Sequence, residues 1–123
     1  MRIHTQVLDG MYGKPAAGVT AYLSRTVGSD DWATVCRAET DDDGRIEDWD
    51  GWHLEVGLYR IVFDSDSHFA KLGADTAYPE IAVSFRIQDE HHDFQVQITL
   101  TPYSYSTYFG TVDDNLEKYN KPA

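Results

Sequence analysis

The sequence has few of the residues that build cross-linked, membrane-embedded or nucleic-acid-binding proteins. Cysteine occurs once, at Cys36, so no internal disulfide can form and there is no cysteine-rich metal site. Only 10 lysines and arginines oppose 21 aspartates and glutamates, and the net charge of −11 disfavours binding to nucleic acid or to an anionic membrane. No apolar run approaches a membrane span, and the polar N-terminus does not resemble a signal peptide. We therefore expect a soluble, cytoplasmic protein.

What the chain does contain is enough hydrophobic material for one folded domain. It has 123 residues, of which 41% are hydrophobic and 13% aromatic, and this composition argues against intrinsic disorder. A chain of this length fits one compact domain and leaves no room for a second. We assign the domain to residues 1–111 and a tail to residues 112–123, where the apolar alternation stops and charged residues collect.

The spacing of apolar residues is that of β-strands. Short runs rich in β-branched and aromatic residues, separated by turn residues, occur at 3–7, 19–23, 34–36, 59–63, 81–85 and 94–100. Residues 65–72 break this rhythm, because their apolar residues have helical spacing and Gly73 follows as a stop signal. The pattern predicts an all-β sandwich with one short helix between the strands at 59–63 and 81–85, which we count as the fifth and sixth strands of the whole sandwich.

Three clusters suggest metal or thiol chemistry but have simpler explanations. His91 and His92 are adjacent, and adjacent strand residues point to opposite faces, so they cannot share a metal without a turn. The run 41–44 lacks the alternating ligand spacing of a calcium loop and predicts a hairpin turn. Cys36 lies in a strand-like stretch, where we expect a buried structural thiol. We therefore expect neither a metal site nor a cofactor.

The tyrosine-rich segment 102–108 predicts a final strand with polar residues on both faces. Alternation places Tyr103, Tyr105 and Thr107 on one face and Ser104, Ser106 and Tyr108 on the other. Such a strand is expected to pack against something polar, either a subunit interface or a ligand. On pattern alone the function of the sandwich stays open.

Several segments, taken in order, resemble the transthyretin and 5-hydroxyisourate hydrolase family. They are QVLD at 6–9, GKPAAGV at 13–19, TDDDGR at 40–45, GLYRIVFD at 57–64, HFA at 68–70, YPE at 78–80 and LTPYSYSTY at 100–108. Together they cover about residues 3–111. The resemblance implies an eight-stranded transthyretin-like sandwich of two four-stranded sheets. It also implies a homotetramer with two small-molecule channels between its dimers.

The same resemblance identifies candidate site residues. The family's hydrolases open a purine-derived ring in urate breakdown. They use a histidine on the first strand, an arginine after an Asp-Gly turn, a histidine on the seventh strand and a terminal Tyr-Arg-Gly-Ser. These positions fall on Gln6, Arg45, Gln95 and the segment 108–111, which here reads Tyr-Phe-Gly-Thr. Glutamine donates and accepts hydrogen bonds but does not titrate near neutral pH, so the family's water-activating chemistry loses its usual base.

From the resemblance we assign two groups of site residues. Catalytic roles fall to Arg45, Gln6, Gln95 and Tyr108, and substrate contacts to Phe109, Thr111 and His4. Phe109 in place of an arginine makes the implied channel less cationic and more apolar. His4 shares a strand face with Gln6 about 7 Å away and offers an imidazole, although an exposed strand end is the simpler interpretation.

Three functions remain open and are ranked in this order. The first is a diverged enzyme that acts on a small cyclic metabolite, by a biosynthetic cyclisation, isomerisation or rearrangement that needs less base than hydrolysis. The second is a genuine 5-hydroxyisourate hydrolase with a substituted site. The third is a non-catalytic small-molecule binding protein. In all three the partner is a small molecule, with no nucleic acid and no membrane.

Overall fold

A computed structural model of the protein describes residues 1–28, 31–47, 49 and 54–112. The strands are β1 (Ile3–Asp9), β2 (Lys14–Pro15), β3 (Thr20–Val27), β4 (Asp31–Glu39), β5 (Arg45–Ile46), β6 (Gly57–Phe63), β7 (Ile81–Ile87), β8 (Asp93–Leu100) and β9 (Tyr105–Val112). The helix α1 (Ser65–Lys71) connects β6 to β7. The last strand includes Val112, the first residue of the predicted tail, and residues 113–123 lie outside the described part of the chain.

The strands form two sheets, which confirms the predicted all-β sandwich with one short helix. The first sheet has the order β2-β1-β8-β9, with β5 also paired to β1, and the second has the order β4-β3-β6-β7. Where the resemblance implied four strands in each sheet, the described residues give the first sheet five. The first sheet reaches five because it includes both β2 and β5, two-residue strands in turn regions that pair briefly with β1.

The core lies between the two sheets and follows from strict alternation along the strands. In β7 the side chains of Ile81, Val83, Phe85 and Ile87 are buried while those between them are exposed. β1 and β8 alternate in the same way. The even-numbered residues of β1 and the odd-numbered residues of β8 point outward. Cys36 is buried, as the sequence predicted. The outward rows of β1 and β8 lie side by side on the first sheet.

The helix is short because its two ends are defined locally. The carboxylate of Asp64 caps the first turn by accepting the N–H of Ser67 at 3.1 Å, and Gly73 follows the helix with φ +70°. Phe69 faces the core and is fully buried. None of the helices in the described ranges is long and apolar enough to cross a membrane.

A buried hydrogen bond between Asp9 and His68 attaches the helix to the end of β1. The carboxylate of Asp9, which is fully buried, lies 2.8 Å from Nε2 of His68 and also accepts the N–H groups of Met11 and Tyr12. Burial alone would raise the pKa of Asp9. The hydrogen bonds from Tyr12, His68 and Met11 outweigh burial, so the pKa of Asp9 lies below its ordinary value.

Replacing Asp9 therefore tests how much the buried Asp9 carboxylate and its hydrogen bonds stabilise the fold. We expect Asp9→Asn to lower the free energy of unfolding by about 3 kcal/mol at pH 7. The exposed pair of Asp89 and His92, 3.5 Å apart, is the matched control, and Asp89→Asn should cost less than about 1 kcal/mol.

The pH dependence has a definite sign. Because folding lowers the pKa of Asp9, its contribution is present above the ordinary aspartate range near pH 4 and is lost as the pH falls further. Denaturant unfolding at several pH values should show that the difference in free energy of unfolding between wild type and Asp9→Asn becomes smaller below about pH 4. A difference that stays constant down to pH 2 would show that the charge of Asp9 is not what stabilises this end of β1.

Candidate functional site

A cavity of about 290 Å³ opens on the outward face of the five-stranded sheet. Its polar and charged lining comes from His4 and Gln6 on β1, Gln95 and Gln97 on β8, Arg45 on β5, and Glu47 just after β5. Val112 at the end of β9 also borders it. We call this cavity the groove. It brings together four of the residues predicted for the site: Arg45, Gln6, Gln95 and His4.

The floor of the groove is set by the parallel pairing of β1 with β8. In this register His4 lies beside Gln95 and Gln6 lies beside Gln97. The side-chain nitrogen of Gln97 donates a hydrogen bond to the side-chain oxygen of Gln6 at 3.1 Å. Three amide side chains therefore share the floor, and each can donate and accept hydrogen bonds.

The tight turn before β5 places Arg45 against β1. One carboxylate oxygen of Asp41 accepts the N–H groups of both Asp43 and Arg45 at 2.9 Å. Gly44 has φ +74°, and its carbonyl accepts the N–H of Val7 at 2.7 Å. A side chain at Gly44 would collide with the carbonyl oxygen of Val7. The turn thus requires glycine at position 44 for two reasons, the positive φ and the close approach to the Val7 carbonyl.

Charged groups form a chain across one wall of the groove. Nη1 of Arg45 lies 3.7 Å from one oxygen of Glu47, and the other oxygen of Glu47 lies 3.4 Å from Nδ1 of His4. Nε2 of His4 is 3.9 Å from a carboxylate oxygen of Asp93. Arg45 is about half exposed, so its guanidinium remains accessible from the groove. Chemically the groove offers a cation, an imidazole between carboxylates, and amides for recognition.

The residues predicted at the C-terminal end lie on two different faces of β9. Tyr108 is on the outward face, paired across from Gln97, although it is not among the residues that line the groove. A side chain at Gly110 would collide with the hydroxyl of Tyr108, so the tyrosine ring lies over this glycine. The Tyr-x-Gly spacing therefore has a steric reason.

Phe109 lies on the other face of β9, toward the second sheet. Its ring centroid is 5.2 Å from that of Phe85 and 5.3 Å from that of Phe94. Thr111 pairs with Phe94 and shares the face of Phe109 by strand alternation. Neither residue lines the groove. Their contact with a ligand stays a prediction, and in the structure Phe109 packs against core aromatics.

Two residues of the groove were absent from the sequence-based assignment. Gln97 follows Gln95 by two residues, and Glu47 follows Arg45 by two. Period-two alternation along β8 would have placed Gln97 beside Gln95. No comparable signal identified Glu47, because it lies just beyond a strand of two residues.

With this geometry established, known proteins show a consistent similarity. The HIUase/Transthyretin family profile matches residues 3–110. A 5-hydroxyisourate hydrolase of Caulobacter vibrioides is 36% identical over 112 residues, covering 87% of this chain and 96% of that protein. The solved structure of Klebsiella pneumoniae 5-hydroxyisourate hydrolase has a TM-score of 0.78 at 29% identity, covering 89% of this chain and 99% of that one. Sea bream transthyretin in complex with thyroxine has a TM-score of 0.84 at 23% identity, covering 91% and 97%.

Gly44 offers a direct test of how the turn builds the groove. Gly44→Ala should lower the free energy of unfolding by about 3 kcal/mol, because alanine meets both an unfavourable φ and the Val7 carbonyl. Gly13→Ala is the matched control, since Gly13 has φ +69° but no atom near its added Cβ, and it should cost about 1 kcal/mol. Thermal or denaturant unfolding measures both changes. Equal costs would show that backbone conformation alone, and not the approach to β1, explains this glycine.

Proposed function

Because the chain belongs to the HIUase/Transthyretin family, we propose that its groove is an active site for a small cyclic metabolite that carries ring carbonyl and N–H groups. The family relatives at 29% to 36% identity that are described above are hydrolases. The observation that carries the proposal is the convergence of Arg45, Gln6 and Gln95 on one cavity. These residues come from three strands that only the fold brings together.

In this proposal Arg45 stabilises negative charge that develops on a ring oxygen. A guanidinium presents planar donors that match a carbonyl or enolate oxygen, and such electrostatic stabilisation is among the larger contributions to catalysis. Gln6 and Gln95 orient the substrate, because an amide pairs with the alternating donors and acceptors of a cyclic amide edge. Tyr108 does not line the groove, but its ring lies over Gly110, which pairs with Gln95, and we propose that its phenol contacts the ligand from this side.

The reaction we favour is a cyclisation, isomerisation or rearrangement in a biosynthetic route. The resemblance implies histidines at positions 6 and 95, where this chain has amides that cannot take a proton near neutral pH. Reactions of an already reactive ring need less base than attack by water. The groove then contributes mainly orientation and charge stabilisation.

Hydrolysis of 5-hydroxyisourate is the second candidate. The named activity of the Caulobacter and Klebsiella relatives favours it. The imidazole of His4 also favours it, since His4 lines the same groove as Arg45. The two candidates differ in the rate expected with 5-hydroxyisourate.

The assay follows the absorbance of freshly generated 5-hydroxyisourate with and without the protein. We expect a measurable acceleration that stays well below the roughly 10 per second typical of metabolic enzymes. Arg45→Ala should abolish it at unchanged melting temperature, and Arg45→Lys should recover only part. A rate near 10 per second would establish the second candidate. No acceleration at all would rule out the second candidate and leave either a reaction of another cyclic metabolite or binding without turnover.

Arg37→Ala is the matched control for Arg45→Ala. Arg37 is exposed to a similar degree and pairs with Glu39 at 3.1 Å, but it lies on the other sheet. Its removal should leave the acceleration unchanged. Equal losses in the two variants would show that the effect is one of overall charge and not of the groove.

We also propose that the chain assembles as a cytoplasmic homotetramer in which the groove becomes part of a channel between subunits. The support is that the groove lies on an open sheet face, where a second subunit can close it. Sedimentation of the purified protein at micromolar concentration should give a mass near four chains. A monodisperse monomer would contradict the channel and leave the groove as an open surface site.

A further inference from the structure

We propose that His4 carries the proton in the groove and that Glu47 positions it. This inference rests on the proposed function, because it assigns the acid–base group of the same site. His4 is not one of the positions at which the family resemblance implies a catalytic histidine. His4 lies two residues before Gln6 on β1 and on the same face of the strand, so its imidazole enters the same groove.

The location of His4 is what a proton carrier needs. Alternation on β1 buries Ile3 and Thr5 and turns His4 outward, where its side chain is 30% exposed. Among the other histidines that the structure describes, His68 is bound to Asp9, and His91 and His92 are exposed on the loop before β8. Within the described residues, His4 is therefore the imidazole that can reach a ligand beside Arg45.

The partners of His4 favour one tautomer. Its Nδ1 is the ring nitrogen nearer to a carboxylate, 3.4 Å from Glu47, whereas its Nε2 is 3.9 Å from Asp93. A small movement of the exposed Glu47 side chain would bring it within hydrogen-bonding distance of Nδ1. A neutral imidazole with its proton on Nδ1 accepts through Nε2, and a carboxylate behind the ring holds it in that state. Among the residues that the structure describes, the charged groups around His4 are Glu47 and Asp93, with Arg45 beyond Glu47. Its strand neighbours Gln95 and Gln6 are neutral.

Glu47 is suited to be a positioning residue because both of its oxygens are engaged. One faces His4 and the other faces Arg45, so a single carboxylate lies between the imidazole and the guanidinium. The segment after β5 is held to β1 two residues later. There the buried Trp49 donates its indole N–H to the hydroxyl of Thr5 at 3.3 Å.

In the second candidate reaction, the hydrolysis of a ring amide, His4 carries the proton in a step that balances atoms and charge. The oxygen of a water bonds to the carbonyl carbon while one water proton moves to Nε2 of His4. The carbonyl π electrons move to the oxygen, whose negative charge Arg45 stabilises. When the carbonyl re-forms, the ring C–N bond breaks, and the nitrogen takes the proton back from Nε2. His4 ends neutral, and the product is the substrate plus one water.

The rate experiment uses the full chain and 5-hydroxyisourate as the probe. His4→Gln should reduce the protein-dependent acceleration by about 100-fold, the lower range for loss of acid–base catalysis, with the melting temperature unchanged. Free imidazole should restore part of the rate to His4→Ala and none to Arg45→Ala. The matched control is His92→Gln, an exposed histidine paired with Asp89, which should retain the wild-type rate.

Nitrogen NMR on protein labelled in histidine tests the arrangement without any activity. Neutral His4 should carry its proton on Nδ1, and Glu47→Gln should reduce that preference and lower the rate. Glu39→Gln, an exposed carboxylate paired with Arg37, should change neither.

The outcomes separate this inference from the proposed function. Wild-type acceleration that survives in His4→Gln would overturn the role of His4 and leave the proposed function intact. A proton on Nε2 in the wild type would overturn the positioning by Glu47. Absence of any wild-type acceleration would overturn the role of His4 in ring opening and rule out the hydrolase candidate, whereas the favoured rearrangement of another ring would stand.

Discussion

The pairing of β1 with its neighbours is the constraint on which the rest of the structure depends. One edge of β1 binds β8 in parallel, and the other edge binds β2 and β5. Its inward residues fill the core, its outward residues form the groove, and its last residue, Asp9, holds the helix through His68. A shift of one residue in this register would exchange the core and groove faces along the whole strand. Stability and site geometry are therefore set by the same hydrogen bonds.

The groove also has a local charge balance unlike that of the whole chain. The net charge is −11, yet beside the amides the groove places one guanidinium and one imidazole among the carboxylates of Glu47 and Asp93. Glu47 partly neutralises Arg45. The groove is therefore better suited to a neutral ligand that becomes negatively charged during the reaction than to one that is already an anion when it binds. Gln6 and Gln95 donate and accept hydrogen bonds but do not titrate near neutral pH. Among the described residues, His4 is the imidazole that lines the groove.

The fold by itself does not choose among these functions. A transthyretin at 23% identity and a hydrolase at 29% identity share this sandwich with similar TM-scores. A sheet face of this kind accepts different ligands through changes in a few outward side chains, while the inward residues keep the core. Function therefore has to be argued from Arg45, His4 and the amides, which the core does not constrain.

The sequence by itself determined the fold class, the helix and the family, because alternation, turn residues and ordered motifs are local signals. It also placed Gln6, Gln95 and Arg45 as site candidates through the resemblance, and strand alternation put His4 on the face of Gln6. Only the tertiary structure decided that Glu47 faces both His4 and Arg45, that Gln97 bonds Gln6, and that Phe109 packs toward the second sheet. These contacts join residues up to 91 positions apart, as between Gln6 and Gln97. Their physical cause is strand register and side-chain packing, which depend on the whole sheet and leave no trace in the local pattern.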